Sequence, residues 1–307
     1  MKGMGKKMNE NIYSEAMKEI GDAGIAFSEN VALCNYTTFK IGGNTPLMVS
    51  PASTEEVSRT VEIFNKYNIS YFVLGNGSNL LVSDSGLEKA VIFTGGLKSL
   101  TVSENKVVAG SGCLLSKAAS EAAKNSLCGM EALHGIPGSV GGAVRMNAGA
   151  YGSEMAHVVE YTEFVDKTGV IHRIYGEEHS FGYRRSCFAE GDVVTAVCFS
   201  LQKGNSEEIY AKMNELAKRR RESQPLEYPS AGSVFKRPEG YFAGKLIQDS
   251  GLKGRTVGGA QVSEKHAGFI INIGGATCAD VVELVNIIRD TVYANYGVEL
   301  ETEIKMI

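Results

Sequence analysis

No apolar run in the 307 residues approaches the ~20 that a helix needs to cross a bilayer, which excludes a helical membrane span. The basic opening MKGMGKK is followed by MNENIYSEAMKEI, which is amphipathic and polar, so the apolar core of a secretory signal is missing as well. Cysteine is sparse and scattered. Cys34, Cys113, Cys128, Cys187, Cys198 and Cys278 include no CxxC pair, and no histidine stands at metal-ligand spacing. They read as reduced thiols, and no metal site is expected. Lysine plus arginine (31) and aspartate plus glutamate (35) are interspersed, so a net charge of -4 offers no basic stripe for nucleic acid. Tandem repeats and low-complexity tracts are absent. What remains is a cytoplasmic globular protein of small-molecule substrates, with no nucleic acid, membrane or obligate protein partner indicated.

Proline is scarce too, at six residues, whereas glycine reaches 36 of 307 against a usual level of about 7%. Glycine without proline points to backbone turns that approach a ligand closely, not to flexible linkers. With 43% hydrophobic and 21% charged residues, the chain is long enough for two or three compact units.

Ile12, Ala16 and Ile20 recur at helical spacing and predict a short N-terminal amphipathic helix. NYTTFKIGGNTPLMV reads as a strand, a glycine turn and a second strand. Ser53 with Glu56 forms a capping box before a helix over residues 54–67 that buries Val57, Val61 and Phe64. SYFVL is a short buried strand, after which GNGSN leads into the strands LLVS and KAVIFT. The runs KVVAG, VEYTEFVD, VIHRIY and DVVTAVCFSL predict a second, mainly antiparallel sheet, interrupted by a helix near 115–125 and the loop HGIPGSVGGAVRMNAGAYG. A new unit begins near residue 205, where Asn205 and Glu208 cap a helix that buries Ile209, Met213 and Leu216. A further helix spans 278–295 and stops at Gly297. VELETEIKMI then alternates as a final strand, with Val298, Leu300, Ile304 and Met306 on one face.

Two glycine segments, GNGSN (75–79) and GIPGSVGGA (135–143), carry the chemical signal. Neither is a Walker loop, and GNGSN leads into a strand where a Rossmann loop would lead into a helix. Successive amides in mixed-handed turns still converge on an anion, and Pro137 with Gly138, Ser139, Gly141 and Gly142 suits a helix start that meets a phosphate. Each loop alone is compatible with a tight turn or a ligand cradle. Two in one chain favour a large phosphate-bearing cofactor.

The segments TTFKIGG, GNGSNLL, GIPGSVGGAVRMNAGAYG, FGYRRSCF, SAGSVFKRP, FAGKLIQDSGLKG, GGAQVSEKHAGFIIN and LETEIKMI, in this order, resemble the UDP-N-acetylenolpyruvoylglucosamine reductase (MurB) family from about residue 30 onward. The resemblance implies an α+β chain: an FAD-binding fold of the vanillyl-alcohol-oxidase type in two α+β subdomains, plus a C-terminal α+β substrate domain. On that reading 1–28 hold the N-terminal helix, 29–98 and 99–204 the two FAD-binding subdomains, and 205–307 the substrate-binding domain. It implies non-covalent FAD, NADPH as hydride donor and UDP-N-acetylglucosamine-enolpyruvate as substrate. The cofactor-binding residues it implies are Gly75, Asn76, Gly77, Ser78, Asn79, Gly135, Ile136, Pro137, Gly138, Ser139, Gly141, Gly142 and Ala143.

Three catalytic residues follow from the same match. Ser233, in SAGSVFKRP, corresponds to the proton donor to C2, although a serine in a Gly-Ser turn is by itself more often structural. Arg184, the first arginine of FGYRRSCF, corresponds to the clamp on the substrate carboxylate, where a fixed guanidinium stabilises developing charge. Glu303 corresponds to a carboxylate that completes the site, by holding Arg184 or by polarising the substrate; read alone, it is a solvated edge residue. Tyr183, Arg237, Lys245, Gln248 and His266 lie in matched segments and are candidate substrate contacts, but equally suit a plain polar surface. His134 reads as a packing residue. Between Arg184 and the helix at 205 there is no room for the inserted tyrosine loop of one branch, so the chain resembles the branch without it. Ser223 stands near where some relatives place a lysine. Two other readings remain open: a different FAD-dependent oxidoreductase, and a non-catalytic nucleotide-sugar binding protein.

Overall fold

The structure is a computed structural model and describes residues 13–307. The chain divides into two compact units, both discontinuous in sequence. The first holds residues up to Val31, Pro46–Asn76 and Lys89–Ala217, and the second Ala32–Thr45, Gly77–Glu88 and Lys218–Ile307.

In the first unit, helix α1 (residues 13–22) buries Ala16 and Ile20. Ile12, expected on the same face, lies outside the described residues. A four-stranded sheet runs in the order Phe27–Ala32, Asn44–Val49, Ala90–Phe93, Tyr71–Leu74. Its last three strands are parallel, with Met48 opposite Val91 and Tyr71 opposite Ala90. Helix α2 (Thr54–Lys66) starts where sequence predicts. The Ser53 hydroxyl accepts the Glu56 N–H at 3.2 Å, while the Glu56 carboxylate reaches one residue further back than expected, to the Ala52 N–H at 2.8 Å. Val57, Val61 and Phe64 then pack on Leu47 and Ile92 of the sheet.

The second sheet of this unit is antiparallel throughout, in the order Ile171–Tyr175, Val159–Val165, Val193–Ser200, Lys106–Gly110, Leu100–Ser103. Helices α3 (Leu115–Lys124) and α4 (Val140–Arg145) share a core with it that includes Val107, Leu115, Val144 and Val197. Helix α5 (Ser206–Ser223) begins at Asn205, whose side chain accepts the N–H groups of Glu207 and Glu208. Its Ile209 and Met213 pack on Ala123.

The second unit is a four-stranded antiparallel sheet, Ser230–Ser233, Phe269–Asn272, Ala260–Val262, Thr256–Val257, with helices α6 (Ala243–Asp249) and α7 (Cys278–Tyr296). Thr277 and Asp280 cap α7 reciprocally, and Gly297 ends it with φ +66°. Its buried stripe of Val281, Leu284, Val285, Ile288 and Val292 packs with Phe39, Ile247 and Ile270. Each such burial contributes roughly 1.5–3 kcal/mol, far more than helix propensity supplies. Among the described residues no helix is long and apolar enough to cross a membrane.

Two expected strands are not formed. Thr37–Ile41 is a loop, because the Thr37 hydroxyl donates to the Ile41 carbonyl at 3.1 Å and Lys40 takes φ +59°; Phe39 fills the core from there instead. The C-terminal decapeptide is regular only at Lys305–Met306, parallel to Leu80–Leu81. The chain changes partners on the way: Thr302 bridges to Phe235 before Lys305 pairs with Leu80. Leu300 and Ile304 are buried as the alternation predicts, but Met306 is 40% exposed.

The turn joining Val159–Val165 to Ile171–Tyr175 is organised by Asp166. Burial pushes its carboxyl up, but hydrogen bonds from the Thr168 hydroxyl, the His172 ring and the Thr168 and Val170 N–H groups outweigh this and hold it well below the usual carboxylate range. A depressed carboxyl stabilises the fold above its unfolded value of about 4, and that stability is lost as pH falls below it. Thermal denaturation of Asp166→Asn should therefore show a lower Tm than wild type at pH 7, with the difference shrinking steadily below about pH 4. A difference independent of pH would refute the assignment.

Candidate active site

GNGSN divides between the units: Gly75 and Asn76 fall in the first with the whole of GIPGSVGGA, and Gly77 to Asn79 in the second. In the first unit a Cβ on Gly75 would stand 2.5 Å from the Ser139 hydroxyl, so the first loop touches the second and a side chain there would displace that hydroxyl from its cap. Ser139 caps α4 by accepting the Gly142 N–H at 3.4 Å. The segment before it is fastened to the turn after Lys106–Gly110: Leu115 N–H to Gly138 O at 3.0 Å, Val140 N–H to Cys113 O at 2.8 Å, Gly141 N–H to Ser111 O at 2.9 Å. Gly112 in turn abuts the carbonyl of Thr94. Gly75, Thr94, Gly112 and Ser139 thus form one cradle of small residues, to which Gly135, Ile136, Pro137, Gly138, Gly142 and Ala143 are continuous in sequence. Sequence reasoning missed Thr94 to Gly96 and Gly110 to Gly112. Their signal was a doublet of small residues directly after a strand, in KAVIFTGG and KVVAGSG. Burial holds the His134 ring, just before the loop, below its ordinary value and therefore neutral.

Helix α4 ends at the element that carries Arg184. Gly182 and Arg185 exchange hydrogen bonds at 3.1 and 3.2 Å, closing a two-residue hairpin whose tip is Tyr183 and Arg184. Arg184 adopts φ +57°, a left-handed conformation that costs a side-chain-bearing residue of order 1 kcal/mol and is retained most often where function requires it. Its guanidinium carbon lies 5.0 Å from the centroid of the Tyr183 ring, and Tyr183 is 56% exposed. Arg184 belongs to the first unit, Ser233 and Glu303 to the second.

In the second unit Ser233 ends the strand Ser230–Ser233, at a register irregularity and directly after Gly232 with φ +80°. The next residue, Val234, accepts the Glu303 N–H at 2.7 Å. The Glu303 carbonyl accepts Nδ2 of Asn79 at 3.1 Å, and the Asn79 carbonyl accepts the Lys305 N–H at 3.0 Å. Ser233, Glu303 and the end of GNGSN are therefore brought together by two main-chain bonds and the Asn79 side chain. Gly77 supports the other end: its φ is +60°, a Cβ there would strike the Tyr36 carbonyl, and its own carbonyl accepts the Thr38 N–H at 3.2 Å. Asn76 and Ser78 complete that loop.

The four remaining substrate candidates spread over this unit. Arg237 stacks 4.0 Å from the Phe242 ring centroid and donates from Nε to the Tyr241 carbonyl at 3.3 Å. Lys245 pairs with Asp249 at 2.5 Å along α6, and Gln248 is exposed on the same helix. His266 accepts the Gly268 N–H through Nδ1 at 3.1 Å and lies edge-on to Phe269; burial pushes its pKa down, so the ring is neutral and its Nε2 carries the proton.

An FAD-like group fits this set on one observation above the others. Ser111 is fully buried, and among the described residues its Oγ is a buried side-chain polar atom without a hydrogen-bond partner. A Cβ on Gly141 would stand 2.7 Å from the Ser111 Cβ, so this hydroxyl lies at the cradle. An unpaired buried hydroxyl costs about 1–3 kcal/mol, a cost that a polar cofactor atom would remove. Among the described residues no group of histidine, cysteine and carboxylates could hold a metal ion.

Comparison with known proteins identifies the family. The FAD binding domain family matches residues 45–175, and the family described as UDP-N-acetylenolpyruvoylglucosamine reductase, C-terminal domain, matches residues 224–307. The UDP-N-acetylenolpyruvoylglucosamine reductase of Clostridium novyi is 49% identical over 279 residues, 91% of either chain. That of Caldanaerobacter subterraneus is 46% identical over 297 residues, 96% of this chain and 98% of the relative. A crystal structure of the Thermus caldophilus enzyme (MurB) superposes with a TM-score of 0.81 at 40% identity, covering 92% of this chain and 99% of that one. The expected α+β FAD-binding fold with an α+β C-terminal domain holds, and the chain belongs to the UDP-N-acetylenolpyruvoylglucosamine reductase family.

Proposed function

We propose that this protein reduces UDP-N-acetylglucosamine-enolpyruvate to UDP-N-acetylmuramate with NADPH and non-covalent FAD, in the cytoplasm, as a step of peptidoglycan precursor synthesis. The observation that best supports it is the set of bonds to the main chain that holds Ser233, Glu303 and Asn79 together at the end of a glycine loop. Residues 29–98 and 99–204 would serve the cofactor and 205–307 the nucleotide substrate, behind an N-terminal helix within 1–28. The proposal requires no nucleic acid, membrane or obligate protein partner.

Bound FAD supplies hydride transfer, from NADPH to the enolpyruvyl methylene carbon. The chain's own residues manage the charge and the proton that this leaves at C2. Arg184 binds the substrate carboxylate, where its permanently charged fork stabilises the enolate-like electron density. Ser233 gives its hydroxyl proton to C2, a weak acid acting on a strongly basic carbon. Glu303, with its main chain pinned beside Ser233, completes the site by holding Arg184 or polarising the carboxylate. Tyr183, Arg237, Lys245, Gln248 and His266 orient the nucleotide, His266 as a neutral donor from Nε2.

The purified protein should be yellow, bleached anaerobically by NADPH, and reoxidised by the enolpyruvyl nucleotide. Rapid reoxidation by oxygen with indifference to the nucleotide would refute the reading. In stopped-flow mixing, Ser233→Ala should leave flavin reduction nearly intact while slowing reoxidation by the nucleotide about 10²–10⁴-fold; equal losses in both halves would contradict its role. Gly75→Val should lower the flavin bound per protein, read from the ratio of visible to ultraviolet absorbance, because the new side chain meets Ser139. Full flavin content in that variant would remove Gly75 from the cradle.

A further inference from the structure

One side chain between the cofactor cradle and the Arg184 hairpin has no role in the reaction as described so far. Asn147 is 1% exposed and takes φ +40° just after α4. Its Nδ2 donates to the Gly182 carbonyl at 3.2 Å, and its Oδ1 accepts the Ala156 N–H at 3.0 Å. Its own N–H donates to the Val144 carbonyl at 3.0 Å, which fixes it to the helix. Gly182 is half of the hairpin closure, so the Asn147 amide grips the base on which Tyr183 and Arg184 stand. A second fastening runs the same way, from the Ser186 hydroxyl to the Arg145 carbonyl at 2.7 Å. The second ends on Arg145, the last residue of the helix whose first turn is capped by Ser139 at the cradle, and the first on Asn147, two residues beyond it.

These contacts have a consequence for a long side chain on a two-residue tip. A small rotation at the hairpin base is amplified at the guanidinium, and an error of about 1 Å in a group that stabilises a transition state can cost about a hundredfold. A buried amide with both ends bonded resists that rotation without competition from water. We propose that Asn147 is a positioning residue for Arg184, acting through the Gly182 carbonyl and touching no substrate itself. The proposal rests on the role given to Arg184 above.

Asn147→Gly isolates the effect, because glycine accepts φ +40° without strain and removes both side-chain bonds. In the FAD-loaded enzyme, anaerobic flavin reduction by NADPH should stay within about threefold of wild type. Reoxidation by the enolpyruvyl nucleotide at saturation should fall about 10- to 100-fold. In an Arg184→Ala background the same substitution should cost less than about threefold, since coupled residues are not additive. A full additional loss in that background, or equal losses in both half-reactions, overturns the proposal. Should the glycine variant lack flavin, Asn147→Asp keeps the acceptor for Ala156, replaces the donor to Gly182 by an oxygen that repels that carbonyl when the carboxyl is ionised, and carries the same cycle. Loss of flavin from both variants would make Asn147 a folding residue and overturn the proposal too. Wild-type enzyme that NADPH reduces but the nucleotide does not reoxidise would instead refute the proposed function, a result separable from losses confined to the Asn147 variants.

Discussion

Ser139 stands so close to Gly75 that a side chain there would push its hydroxyl off the cap of α4, and the first unit is arranged around this approach. Capping by Ser139 sets where α4 begins, and the helix is only six residues long, so its start also sets its end. Two of those six, Gly141 and Gly142, cost about 1 kcal/mol each relative to alanine in a helix. At Gly141 the cost is offset by an approach to Ser111 that no Cβ permits. The helix is therefore poor as a helix and well suited as a spacer, with the cradle at one end and the Arg184 hairpin at the other.

The second unit reaches a comparable result with bonds to the main chain. Glu303 is placed by its peptide group, through Val234 and Asn79. That placement needs a strand that changes partners, and this explains why the C-terminal decapeptide is irregular between Thr302 and Lys305. A regular ladder would have tied residues 298–307 to a single neighbour. The partner change instead lets one segment meet both the strand bearing Ser233 and the loop ending in Asn79.

Much of this was legible in the residues. Ser53 announces α2 through its local cap, and Gly297 stops α7 by taking the left-handed conformation that its type favours. A helix start after Pro137 was legible too, and α4 begins there with Ser139 as its cap. Features set by distant partners were not. TTFKI has strand-forming residues, yet Phe39 is drawn into a core shared with Ile270 and Ile288, and the loop follows the side chain. At the site, the small residues after strands were readable in KAVIFTGG and KVVAGSG, whereas Asn147 carries no local signature, because its amide partner Gly182 is 35 positions away.

Three histidines are held neutral by their surroundings. His179 is fully buried and bonded at both ring nitrogens, to the Gly176 carbonyl and the Thr162 hydroxyl, and burial pushes its pKa down. His266 is pushed down by burial and accepts a backbone N–H; His134 is likewise pushed down. These rings are neutral at pH 7, and two of them serve as backbone fasteners. In the proposed reaction a serine then sets a limit on its own partners, since a hydroxyl yields its proton only to a strongly basic carbon. The charge stabilisation supplied by Arg184 must be enough to let hydride reach the neighbouring carbon, but not so great that C2 becomes too weak a base for Ser233. Catalysis on these terms favours a guanidinium held at a fixed distance over one free to close fully on the charge, and a hairpin fastened at its base to α4 meets that requirement.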